Sequence, residues 1–78
     1  MMYACGMDNI QRLERDLTLI AKEPVIVEEC NGMYYAFGSE IATLRMFAKY
    51  NTNGAVHNKR VRVGFSGNRG RFFFSIET

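Results

Sequence analysis

A chain of 78 residues has room for one domain and one core, because folding at this length buries only about 60 to 65% of the surface that the unfolded chain exposes. With 47% hydrophobic and 23% charged residues, the composition excludes a disordered chain, which would be poorer in apolar groups and richer in net charge. The net charge of +2 is mild but segregated: Asp8, Glu14, Asp16, Glu23, Glu28, Glu29 and Glu40 precede residue 41 and only Glu77 follows it, whereas Arg45, Lys49, Lys59, Arg60, Arg62, Arg69 and Arg71 all lie beyond it.

The C-terminal half is therefore a candidate for contact with an anionic partner, nucleic acid or an acidic protein face. No stretch approaches the ~18 to 20 consecutive apolar residues of a membrane span, and the N-terminus lacks the basic segment and apolar core of a signal peptide. The expectation is a cytoplasmic protein that does not engage a membrane. Cys5 and Cys30 are too few and too far apart for a metal site and read as buried or half-buried free thiols. Glycines occur singly, with neither a phosphate-binding loop nor a dinucleotide fingerprint, so the sequence implies no cofactor.

Residues Met1 to Gly6 allow two readings, a brief edge strand at Met2, Tyr3 and Cys5 or a frayed end. From Asp8, the helical recurrence of Ile10, Leu13, Leu17, Ile20 and Ala21 predicts an amphipathic helix, with Asp8 as its cap, Gln11 three residues later and Pro24 as its stop. Val25 to Cys30 and Met33 to Phe37 read as short strands joined at Asn31-Gly32, a dipeptide suited to a type I′ turn. A two-residue turn sets Cys30 opposite Met33, Glu28 opposite Tyr35 and Ile26 opposite Phe37. Val25, Val27, Tyr34 and Ala36 then share the other face. Both faces carry apolar residues, so the pattern leaves the core side open.

Ser39 is a suitable N-cap for a second helix reaching about Tyr50, with Ile41, Leu44, Phe47 and Ala48 on one stripe. Asn51 to Asn58 reads as a helix stop and an exposed loop. The last twenty residues carry the clearest two-residue period. Val61, Val63 and Phe65, then Phe72, Phe74 and Ile76, alternate with Arg60, Arg62, Arg71 and Phe73 around a turn at Gly67-Asn68-Arg69-Gly70.

The predicted fold is a single α+β domain over residues 1–78, in the order αββαββ, with two helices packed on one face of a four-stranded antiparallel sheet. A short N-terminal strand would add to it. The order is also a circular permutation of the ferredoxin-like arrangement, its first strand moved to the end. In that topology the final strand is central and the sheet order is third, fourth, second, first.

No catalytic constellation emerges. His57 is the single histidine and stands in a polar loop, and the adjacent Glu28 and Glu29 point to opposite faces of a strand and cannot cooperate as a carboxylate pair. The expectation is a protein that is not an enzyme. Burying the apolar set of the last hairpin turns Arg60, Arg62, Arg71 and Phe73 outward together, with Arg69 at the turn. Such a patch suits single-stranded nucleic acid, whose bases stack on aromatics at ~1 to 3 kcal/mol each. It also suits a protein surface that mimics or receives nucleic acid. A third reading has Phe73 packed beneath the N-terminal segment or a dimer partner, with the arginines only solvated.

Asn31 to Gly38 (N-G-M-Y-Y-A-F-G) resembles, over eight residues, the basic-glycine-aromatic pattern of RNA-recognition-motif proteins. That resemblance implies that Tyr34 or Tyr35, with Phe73, lies on the two central strands and stacks bases. By type rather than by motif, a compact chain with lopsided charge and no catalytic residues also resembles the small phage-encoded proteins that disable host machinery, the anti-CRISPR proteins among them. This second resemblance implies a stoichiometric inhibitor in the host cytosol, monomer or homodimer, that binds a protein or nucleoprotein complex and blocks the place of its nucleic-acid substrate. Direct binding of RNA or single-stranded DNA is the alternative.

Overall fold

A computed structural model describes the backbone of residues 5–52 and 60–78 and the side chains of residues 9–51 and 60–78. The proposed strand at Met2 to Cys5 falls in part outside the described residues, as do His57 and Lys59. The described residues form two helices and a four-stranded antiparallel sheet in the order αββαββ.

The first helix, α1 (Cys5–Ala21), begins before the expected cap, so Asp8 is an internal residue and Cys5 and Gly6 are helical rather than extended. Nothing between Cys5 and Asp8 forbids helical geometry, and Gly6 costs only about 1 kcal/mol there. Leu17 and Ala21 are buried and Ile10, Leu13 and Ile20 pack half-buried beside them, as the spacing predicts. Two devices end the helix. Lys22 adopts φ 63° and donates its N–H to the Thr18 carbonyl at 2.8 Å, a left-handed C-terminal motif. Arg45 of the second helix donates to the Ala21 carbonyl at 2.8 Å. The stop is thus set at Lys22, before Pro24 can act.

Strands β1 (Ile26–Cys30) and β2 (Met33–Gly38) pair in the register expected from a two-residue turn, with Asn31 at φ 53° and Gly32 at φ 80°. Cys30, expected buried or half-buried, is exposed, because it stands at the turn end of an edge strand. The open question of faces is decided by the helices, which cover Val27, Tyr34 and Ala36 together with Val25. The outward N–H of Val27, on the exposed edge of β1, donates to Glu14 Oε2 of α1 at 2.8 Å. One side chain therefore both docks α1 on the sheet and occupies an outward donor of that edge.

Ser39 caps α2 (Glu40–Thr52), its Oγ accepting from the Ala42 N–H at 3.2 Å while donating to Glu23 Oε1 at 2.8 Å. Of the stripe expected on this helix, Phe47 packs half-buried against the core and the rest is corrected. Ala42, Thr43 and Met46 are buried, whereas Ile41 is 56% and Leu44 50% exposed and Ala48 is exposed too. Small residues at 42 and 43 let the helix approach the sheet closely. Thr43 tolerates burial because its hydroxyl donates to the Glu40 carbonyl at 2.7 Å. An apolar count that reads threonine as polar therefore rotates the helix to the wrong side.

The last hairpin, β3 (Val61–Ser66) and β4 (Arg71–Glu77), completes a sheet of order β1-β2-β4-β3. This is the permuted ferredoxin-like order, with β4 central. Phe74 lies in the middle of the helix-covered face, fully buried, with the Tyr50 ring 5.6 Å away between centroids. The alternation places Val63 and Phe65 on this face too, yet Phe65 is 58% exposed. It stands on an edge strand at the turn end of the hairpin, edge-on to Phe72 at 5.0 Å. Phe65 is thus on the predicted face without being a core residue. No helix among the described residues is long and apolar enough to cross a membrane.

Truncating Phe74 to Ala should lower the unfolding free energy by about 3 to 5 kcal/mol, measured by urea denaturation. Leu44→Ala, which the sequence pattern alone would rank as equally damaging, should change stability by no more than about 0.5 kcal/mol.

Candidate interaction face of the sheet

Because both helices pack on one side of the sheet, the opposite face has no helix over it. The pairing register orders its side chains into rows that run across all four strands. One row is Ile26, Phe37, Phe73 and Gly64. The next is Glu28, Tyr35, Ser75 and Arg62. Arg71 lies beside Ser66 at the turn end, and Arg60 and Glu77 at the other.

The middle of this face is aromatic. The rings of Tyr35 and Phe37 stack with centroids 6.4 Å apart, and Tyr35 meets Phe73 edge-on at 5.6 Å. Phe73 spreads over Gly64, where a Cβ would come within 2.8 Å of its ring. Glycine inside an edge strand is unfavourable on its own account. Here it is the gap that the Phe73 ring covers, so Phe73 is half-buried rather than protruding.

Arg69 leaves the hairpin turn and reaches back across this face. Its guanidinium sits 4.7 Å from the centroid of the Phe37 ring. It also donates two hydrogen bonds to the Glu28 carboxylate, the one from Nη1 at 2.7 Å. This lid, with the neighbouring rings, leaves Phe37 only 7% exposed on a face that no helix covers. The two hydrogen bonds from Arg69 are the main reason that the Glu28 carboxyl is held below its usual range; desolvation opposes them and the Arg69 charge adds to them. The same contact raises the Arg69 guanidinium further above its own.

The residues singled out by sequence thus separate. Tyr35, Phe73, Arg60, Arg62 and Arg71 belong to the open face. Tyr34 is on the opposite side of the sheet, half-buried, where it lines a cleft of about 330 Å³ with Arg12, Asp16, Tyr50 and Glu77. In that cleft the Tyr50 hydroxyl is shifted upward, mainly by burial and then by the Asp16 charge. Consecutive strand residues point to opposite faces, so Tyr34 and Tyr35 cannot both join Phe73. Arg69 is on the open face but engaged with Glu28. Arg60 faces Glu77 at 3.9 Å, an exposed and weak pairing. The side chains of Arg62 and Arg71 are exposed and make no hydrogen bond or ion pair among the described residues.

Sequence reasoning missed Phe37 and Glu28 as members of this face. Phe37 was recoverable from the Met33, Tyr35, Phe37 alternation once the core side was known. The Arg69 contact to Glu28 spans 41 residues of sequence and leaves no local trace. Comparison with protein-family models, with curated proteins and with solved structures found no match for this chain.

Two outcomes test this geometry. Gly64→Val should displace the Phe73 ring and cost about 1 to 3 kcal/mol, with a changed near-ultraviolet circular dichroism spectrum. A carboxyl lowered by folding contributes stability above its unfolded value, near pH 4.3, which is lost as pH falls through the lower folded value. Arg69→Ala should therefore melt below the wild type at neutral pH, and the gap should narrow in acid to what the Phe37 contact alone supplies. A gap of constant size across the acid range would show that the ion pair contributes nothing.

Proposed function

We propose that this protein is a non-enzymatic, stoichiometric binder that presents the open sheet face to a nucleic-acid-handling protein or nucleoprotein complex and blocks its substrate site, in the manner of the small phage-encoded anti-CRISPR proteins. The observation that carries this reading is the juxtaposition, on a face without helices, of the Tyr35–Phe37–Phe73 cluster with Arg62 and Arg71, two cations that lack a partner among the described residues. Arginine beside a fixed aromatic is the composition of a binding hot spot, and a face already ordered loses little side-chain freedom on association.

Direct recognition of RNA or single-stranded DNA is the second reading. It is favoured by the placement of Tyr35 and Phe73 on β2 and β4, the two central strands. The edge-on packing of these rings weighs against it, since each buries part of the flat surface that a base would cover.

Titration of fluorescent single-stranded RNA and DNA at low and moderate salt separates the two. The proposed mode predicts no saturable binding at either. Binding that is tight at low salt and falls steeply with added salt would replace it by direct recognition. Affinity capture from the native host should recover a nucleic-acid-handling complex with the wild-type chain. Arg62→Glu combined with Arg71→Glu should lose that complex while melting at an unchanged temperature.

A further inference from the structure

The two edges of the sheet differ. The edge of β1 has an outward donor occupied, the Val27 N–H that Glu14 accepts. On the other side, the Glu77 N–H donates to the Arg60 carbonyl, which fixes the parity of the β3–β4 ladder: Arg60, Arg62, Gly64 and Ser66 face β4. The N–H and C=O groups of Val61, Val63 and Phe65 therefore point out of the sheet, and no hydrogen bond holds them among the described residues. β3 carries neither proline nor bulge, two usual protections of a free edge, and Arg62 is its one charged residue.

We infer that β3 is a self-association edge, pairing antiparallel with β3 of a second copy about a two-fold axis at Val63. Only outward-facing residues can form hydrogen-bonded pairs. That register sets Val63 opposite Val63 of the partner subunit and Val61 opposite Phe65 of the partner subunit, with about six backbone hydrogen bonds. The strand is self-complementary in this register on both faces. On the helix side Val61, Val63 and Phe65 meet their own counterparts, covering apolar side chains that the single chain leaves exposed, Val63 at 37% and Phe65 at 58%.

On the open side Arg62 falls opposite Gly64 of the partner subunit, so no like charges stand directly opposite, and the residue it meets adds no side chain of its own. A second copy is the occupant that answers this pattern: the same short strand supplies the outward ladder, the apolar row and the charge spacing for both partners. The axis stands perpendicular to the sheet and gives a continuous eight-stranded sheet with both open faces on one side. The pairing is independent of what those faces bind.

Sedimentation equilibrium of the full chain should give twice the monomer mass, with dissociation on dilution. Val63→Lys opposes two like charges on the axis and should shift the protein to monomer at the same concentration with its thermal transition retained. Val63→Pro is a second variant, because it removes only an outward N–H and leaves the β4 ladder its donors. In a background with Cys5→Ser and Cys30→Ser, Val63→Cys should form a disulfide-linked dimer under mild oxidation, since directly opposed residues lie within the Cα separation that a disulfide spans. Phe65→Cys, offset along the ladder from its own copy, should not. A monomer at every concentration, or cross-linking through Phe65→Cys in place of Val63→Cys, overturns the proposal.

Discussion

The burial of Phe74 beneath α2, in the core that α1 closes from the side, is the contact on which the remaining structure depends. Phe74 is in the middle of β4, the strand that holds β2 on one side and β3 on the other. Met46, Ala42 and Tyr50 of α2 approach it from above, and Leu17 and Ala21 of α1 close the same core beside Val27 and Ala36. A chain of this length has no second core to fall back on. Without β4 in the centre, β3 would have no partner and α2 no floor.

Placing Phe74 inward forces Phe73 outward, because adjacent strand residues alternate. The face that the helices leave uncovered must then shelter its own aromatic groups. Gly64 makes room for Phe73, Tyr35 bridges Phe73 and Phe37, and Arg69 folds over Phe37 with its charge matched by Glu28. The surface that results is held by its own side-chain contacts. Arg62 and Arg71, whose side chains have no partner among the described residues, lie on β3 and β4, while Glu28 offsets Arg69 over β1. The positive charge is therefore concentrated toward the β3 side of the sheet, the side whose backbone groups also point outward.

Much of this arrangement was legible from local pattern. The Asn31-Gly32 turn set the β1–β2 register, Ser39 set the start of α2, and the alternation after Arg60 set the parity of the last hairpin, all of them short-range stereochemical choices. The candidate site was legible to the extent that parity could carry it, through Arg60, Arg62, Arg71 and Phe73. The choice between Tyr34 and Tyr35 was not, because each face of that hairpin is apolar enough to be buried.

The sequence by itself determined the element order, both turns and which residues share a strand face, since these follow from backbone stereochemistry and from periods of two and 3.6 residues. Only the tertiary structure decided which face the helices cover, how α2 is rotated and where Arg69 goes. The rotation depends on how closely Ala42 and Thr43 let α2 approach Phe74, and on the grip of Arg45 on the end of α1. The Arg69 lid depends on bringing a turn near the C-terminus over a strand 41 residues earlier in the chain. Such contacts are fixed by where packed surfaces meet, and no window of local sequence contains both partners.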